Sequence, residues 1–173
     1  IFLKASELLK GPYRAKINAS TMINQSKTCH QAEIDSACEL IDFWRFNVQY
    51  AREIYEDLQP PVSPSSMWNS SEIRPLEGFV FSVTPFNFSS IAANLPSSAA
   101  IMGNTGVWKP SRNSYLSNYY LMRLMMDAGL PDGVINFIPG KASMVGDICL
   151  SHPMLAGIHF TGSTAVFRKM WKD

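Results

Sequence analysis

The residues best equipped for chemistry in this sequence follow short apolar runs. After the run at 79–83 comes Thr84-Pro85-Phe86-Asn87-Phe88, after 105–108 comes Lys109-Pro110-Ser111, and after 155–160 comes Thr161-Gly162-Ser163-Thr164. The side-chain NH₂ of Asn87 is suited to a developing oxyanion. Lys109 can donate to ribose hydroxyls or offset phosphate charge. A helix opening at Gly162 offers free N–H groups and the positive end of its dipole to a pyrophosphate. Each residue also has a plainer use: Gly162 as a tight turn, Lys109 as a solvated strand end, Asn87 as a partner for its own turn backbone. The glycine fingerprint G-x-G-x-x-G is absent, since Gly103-Asn104-Thr105-Gly106 does not match it. The residues by themselves lead to a nucleotide-binding α/β domain and no further.

These groups converge only if the runs are strands of one parallel sheet, because such sheets place ligands at the carboxyl ends of their strands. A fourth apolar run lies at 134–138, and helical stretches at 90–102, 114–128 and 143–150 separate the four. Ser114 suits an N-cap, and Gly129-Leu130-Pro131 is a stop signal. Strands alternating with helices predict βαβ units, whose strands are covered on both faces and read as unbroken apolar runs. A last helix is expected from Gly162 to the final residue, Asp173. The expected fold class is therefore α/β, half of a doubly wound, Rossmann-like parallel sheet preceded by N-terminal helices.

Those helices are expected at 2–9, ending at Gly11-Pro12, and at 14–26. Thr28 and Gln31 have capping-box spacing. Ile34, Ala37, Cys38, Ile41, Trp44, Val48, Ala51, Tyr55 and Leu58 then recur at three- and four-residue steps, which predicts one long amphipathic helix. The proline-rich stretch at 59–66 breaks it, and 67–76 reads as an extended arm or hairpin. Three units follow: a helical segment at 1–58, a linker or arm at 59–76, and a partial α/β domain at 77–173.

Composition narrows the function. With 46% hydrophobic and 17% charged residues and a formal charge of +1, the chain is globular and carries no general attraction for nucleic acid or membrane. No apolar run approaches a membrane span. Three cysteines without CxxC spacing fit a reducing compartment, not a disulfide framework, and no metal site is expected. Cys149 and His152 lie close in sequence, but no third ligand or motif accompanies them. The chain starts at Ile1 without a methionine, so upstream residues are expected.

Four segments carry a resemblance to aldehyde dehydrogenases. Thr84-Pro85-Phe86-Asn87-Phe88 resembles their P-W/F-N-F segment, and residues 103–111 resemble G-N-x-x-x-x-K-P-S. Residues 129–136 match G-L-P-x-G-V-x-N, and Phe160-Thr161-Gly162-Ser163-Thr164 matches F-T-G-S-T. All four come in family order and spacing. Phe2-Leu3-Lys4-Ala5, residues 39–47 and the ending at 167–171 look like the family's pyrroline-5-carboxylate branch.

The resemblance implies roles residue by residue. Asn87 would be the oxyanion donor, and Thr84 and Lys109 would contact NAD. Gly162, Ser163, Thr164, Ala165 and Val166 would hold the pyrophosphate end. Phe88 would line the aldehyde pocket, with Glu39 near the substrate. The implied reaction oxidises L-glutamate 5-semialdehyde to L-glutamate, with a cysteine nucleophile and a glutamate base that the family places beyond Asp173. The chain alone is then expected to be inactive. The full-length enzyme would be a homo-oligomer acting on a small aldehyde in the bacterial cytoplasm or mitochondrial matrix. Other expectations are a non-catalytic remnant that binds nucleotide or intact subunits, and another branch of the family. One departure bears on the cofactor: many NAD-using relatives carry an acid three residues past the motif lysine, where this sequence has Arg112, a residue suited to the 2′-phosphate of NADP.

Overall fold

The structure, a computed structural model, describes residues 1–172. The chain opens with helices α1 (Phe2–Lys10), α2 (Arg14–Gln25), α3 (Cys29–Ala32) and α4 (Glu39–Asp57). The α/β part follows as β1 (Phe79–Val83), α5 (Ser89–Ile101), β2 (Thr105–Lys109), α6 (Tyr115–Asp127), β3 (Ile135–Phe137), α7 (Ala142–Leu150), β4 (Leu155–Phe160) and α8 (Thr164–Lys172). The capping box forms as its spacing predicts. The Thr28 hydroxyl accepts from the Gln31 N–H at 3.2 Å, and the Gln31 side chain accepts from the Thr28 N–H at 3.0 Å.

The long amphipathic helix is not one continuous α-helix. Between α3 and α4 the segment Glu33–Cys38 is a π-helix, closed by the Glu39 N–H donating to the Ile34 carbonyl. The wider turn accommodates Ser36, fully buried, whose hydroxyl bonds to the Ala32 carbonyl and to Asn18. Such wide turns reset which residues share a face. Beyond α4, residues 59–76 form neither strand nor ladder. They fold back through reciprocal bonds of the Gln59 side chain with the Ser71 backbone, at 3.1 Å each.

All four strands are parallel, in the order β3-β2-β1-β4. Successive strands add to one side of β1, and β4 then returns to the other side. This reversal is the topological switch at which open α/β sheets bind ligands. One face of the sheet packs on α5, with α6 and the N-terminal helices behind it. This core joins Trp44, Leu40 and Ile17 to Trp108, Leu121 and Ile135, so the first helices share a core with the α/β part. On the other face Phe81 packs with Val145 and Cys149 of α7, and Met170 of α8 closes on them.

Gly78 positions β1 against β4. Its φ is +106°, and a Cβ there would lie 2.0 Å from the Met154 carbonyl oxygen. Gly129, after α6, also has positive φ, at +100°, but open space surrounds it. Gly78→Ala therefore suffers a backbone collision on top of a conformational cost of about 1–3 kcal/mol, whereas Gly129→Ala bears the conformational cost alone. Thermal melts of the two variants are expected to show the larger loss at Gly78. Equal losses would contradict this packing.

Candidate functional site

Backbone hydrogen bonds tie the carboxyl ends of three strands together. The Thr84 N–H donates to the Lys109 carbonyl at 3.3 Å, and the Thr161 N–H donates to the Val83 carbonyl at 3.2 Å. The segments at 84–88, 109–111 and 161–164 thus share one edge of the sheet.

Strand alternation then decides which face each side chain serves. Phe81, Val83 and Lys109 point to the α7–α8 side, where they line a cleft of about 240 Å³. Its other walls include Ala142, Ser143, Gly146 and Leu150 of α7 and Val166, Lys169 and Met170 of α8. Lys109 is only 7% exposed and has no carboxylate partner among the described residues. Burial holds its amine below the ordinary lysine range. A largely buried lysine at a cleft wall, with no carboxylate partner among the described residues, is an arrangement that an anionic or hydroxyl-rich ligand would relieve.

Thr84 faces the other way. It is buried, and its hydroxyl accepts from the Trp108 indole N–H at 3.0 Å. What Thr84 presents to the sheet edge is backbone, not hydroxyl.

α8 begins at Thr164, two residues later than a helix opening at Gly162. Ser163 supplies the cap: its hydroxyl accepts from the Val166 N–H at 3.4 Å. Gly162 occupies the preceding turn, where a Cβ would sit 2.6 Å from the Phe160 ring. Gly162 and Thr164 line a shallow depression with Thr161 and Phe167, apart from the Lys109 cleft. Val166 is the one residue of 162–166 that lines the cleft itself. Ser163, Thr164 and Ala165 are exposed at the helix start.

Asn87 is exposed in the β1–α5 turn, and its side-chain amide has no hydrogen-bond partner among the described residues. It does not satisfy the turn backbone. Instead its carbonyl accepts from Lys27, whose amine lies 4.3 Å from the Phe88 ring centroid. Glu39 accepts from the hydroxyl of Ser90, in the first turn of α5, so the N-terminal helices reach the same corner. Arg112 is exposed, three residues past the β2 end, in a short 3₁₀ turn (Arg112–Ser114).

The α7 wall and Lys27 escaped sequence reasoning. Ser143 and Gly146 follow an ordinary helical pattern, and nothing local marks Lys27 as different from any other linker lysine. Cys149 and His152 do not pair. Cys149 is buried with its thiol pushed up by burial, while His152 Nδ1 accepts from the Met154 N–H at 3.0 Å and its ring stacks edge-on with Phe79. No group of three metal-ligating side chains gathers among the described residues, and no described helix is long and apolar enough to cross a membrane.

The sequence profile of the aldehyde dehydrogenase family matches residues 1–173. The chain belongs to that family. It is 52% identical over 171 residues to the probable delta-1-pyrroline-5-carboxylate dehydrogenase of Schizosaccharomyces pombe, covering 99% of this chain and 31% of that protein. It is 48% identical over 173 residues to the human mitochondrial delta-1-pyrroline-5-carboxylate dehydrogenase, covering 100% of this chain and 30% of that one. The crystal structure of the delta-pyrroline-5-carboxylate dehydrogenase from Mycobacterium tuberculosis bound with NAD superposes with a TM-score of 0.94 at 57% identity, covering 99% of this chain and 32% of that chain. The chain thus spans about a third of the length of these aldehyde dehydrogenases.

Lys109 makes the folded protein sensitive to pH. The folded state holds this amine less protonated than the unfolded chain does, so stability falls as pH drops from the ordinary lysine value of 10.5 through the lowered one, and the loss persists below. Lys109→Met is expected to raise the melting temperature of the ligand-free chain at pH 7, with a gain that shrinks toward pH 10.5. Denaturation scans across pH check this, and a destabilised variant at pH 7 would contradict it.

Proposed function

We propose that this chain is the early-middle part of an NAD-dependent aldehyde dehydrogenase that oxidises L-glutamate 5-semialdehyde, the opened form of 1-pyrroline-5-carboxylate, to L-glutamate. The observation that carries the reading is the pairing, at one sheet edge, of a cleft walled by the largely buried Lys109 with a turn that leaves the Asn87 amide without a partner among the described residues. That relatives about half identical to this chain are delta-1-pyrroline-5-carboxylate dehydrogenases supports the same substrate, and the bound NAD of the Mycobacterium tuberculosis enzyme supports the cofactor.

The residues present fit NAD. Phe81, Val83, Leu150 and Met170 supply apolar walls suited to a flat base, and Lys109 supplies a donor for ribose hydroxyls. The N–H groups at the start of α8, from Ser163 to Ala165, suit the pyrophosphate, with Val166 lining the cleft and Gly162 in the turn before them, where a Cβ would strike the Phe160 ring. Thr84 contributes through its backbone. NAD, when bound, accepts the hydride. The chain's own part is to orient: Asn87 donates to the oxyanion that forms when a nucleophile adds to the aldehyde, Phe88 lines the aldehyde pocket, and Glu39 stands near the substrate by way of its contact with α5. The cysteine nucleophile and the glutamate that activates water belong to the part of the enzyme beyond this chain. The complete protein works as a homo-oligomer on a free small molecule, in a mitochondrial matrix or bacterial cytoplasm, where three free cysteines stay reduced.

A purified full-length protein carrying this segment is expected to reduce NAD with 1-pyrroline-5-carboxylate as substrate. Its Asn87→Ala variant should lose kcat by about 10²–10³-fold, as for removal of one oxyanion donor. Simple aldehydes turned over in preference would indicate another branch of the family, and a preference for NADP would trace to Arg112. The 173-residue chain by itself is expected to show no turnover in the same assay. Measurable turnover by it would overturn the division of labour proposed here.

A further inference from the structure

We propose that Lys27 is a positioning residue for the oxyanion turn, fixing the backbone of Asn87 so that its side-chain amide stays presented; this rests on the reading of Asn87 above. Lys27 lies in the link between α2 and α3, and that link is held on both sides. Ser26 before it adopts a left-handed conformation with φ 52°, and Thr28 after it begins the capping box. From this anchored point the side chain crosses to the β1–α5 turn. Its amine donates to the Asn87 carbonyl, lies 4.3 Å from the Phe88 ring centroid and pairs with Asp35 at 2.5 Å. The Lys27 side chain is 13% exposed and that of Asp35 22%, so the ion pair is partly shielded from water, while the bond to Asn87 lies at the exposed turn.

Three features set this contact apart from ordinary packing. First, it holds the residue at issue. Gln25 with Thr21 grips Ser89, and Glu39 grips Ser90, but those bonds act on the helix after the turn. Lys27 bonds to Asn87 itself. Second, the Asn87 backbone is held while its amide is left without a partner, which suits a preorganised donor. Third, an ammonium at the N-terminal end of α5 opposes the helix dipole. Helix stability alone would not select it, and Asp35 offsets the unfavourable charge. With a carboxylate, a carbonyl and an aromatic face engaged, Lys27 acts through Asn87 and not on substrate.

The test uses the full-length protein. Lys27→Met alone would strand the Asp35 carboxylate, so the informative variant is Lys27→Met/Asp35→Asn, with Asp35→Asn as the control that keeps the Lys27–Asn87 contact. The double variant is expected to lose kcat by about tenfold while KM for 1-pyrroline-5-carboxylate stays within about twofold, and Asp35→Asn should keep most of kcat. An unchanged kcat in the double variant overturns the proposal. So does an equal loss in Asp35→Asn, which would assign the effect to the ion pair. Asn87→Ala separates the two levels. If it leaves kcat intact, the oxyanion reading itself fails. If it lowers kcat and the double variant does not, only the role of Lys27 fails.

Discussion

The carboxyl edge of the parallel sheet is the constraint on which the site depends. Two backbone hydrogen bonds, Thr84 to Lys109 and Thr161 to Val83, stitch β2, β1 and β4 together where the strands end. Parallel pairing requires a helical crossover between strands, so the segments that meet there are far apart along the chain. The crossovers α5, α6 and α7 are what bring them together. The reversal of strand order between β1 and β4 then opens the crevice between the helices on one face. Remove the switch and the same motifs would lie along a continuous covered sheet.

Two-period alternation of the strands sorts chemistry from structure at that edge. Lys109 and Trp108 are neighbours in the chain and serve opposite faces. Lys109 goes to the cleft, and Trp108 goes to the main core, where its indole N–H donates to the Thr84 hydroxyl. The cleft face tolerates a largely buried lysine with no carboxylate partner among the described residues, and its desolvation costs stability in the absence of ligand. Binding sites commonly carry such locally unfavourable groups, and a well-packed remainder compensates. Here the remainder is the shared core of Trp44, Leu40, Trp108 and Leu121.

The N-terminal helices do more than extend that core. Through Lys27, Gln25 and Glu39 they hold the β1–α5 turn and the first turn of α5 from the side opposite the cleft. The π-helical turn at Glu33–Cys38 shifts the register of everything after it by a residue, and Glu39 is the first residue past that turn. Loop geometry at the site is therefore set by side chains that lie far upstream.

Much of this was legible in the residues themselves. Apolar runs and 3.6-residue stripes located the strands and helices to within a residue or two, because those patterns depend on near neighbours in the chain. The capping box at Thr28 and the stop at Gly129 are local as well. Family-like segments marked Asn87, Lys109 and Gly162, and alternation of strands with helices implied the parallel sheet that gathers their segments. Tertiary structure alone decided that the Thr84 hydroxyl belongs to Trp108, that α8 starts at Thr164, that the long helix contains a π turn, and that α7 walls the cleft. It also decided that a linker lysine reaches Asn87. These outcomes turn on pairings between groups many residues apart, and no local period records which distant partner a side chain will meet.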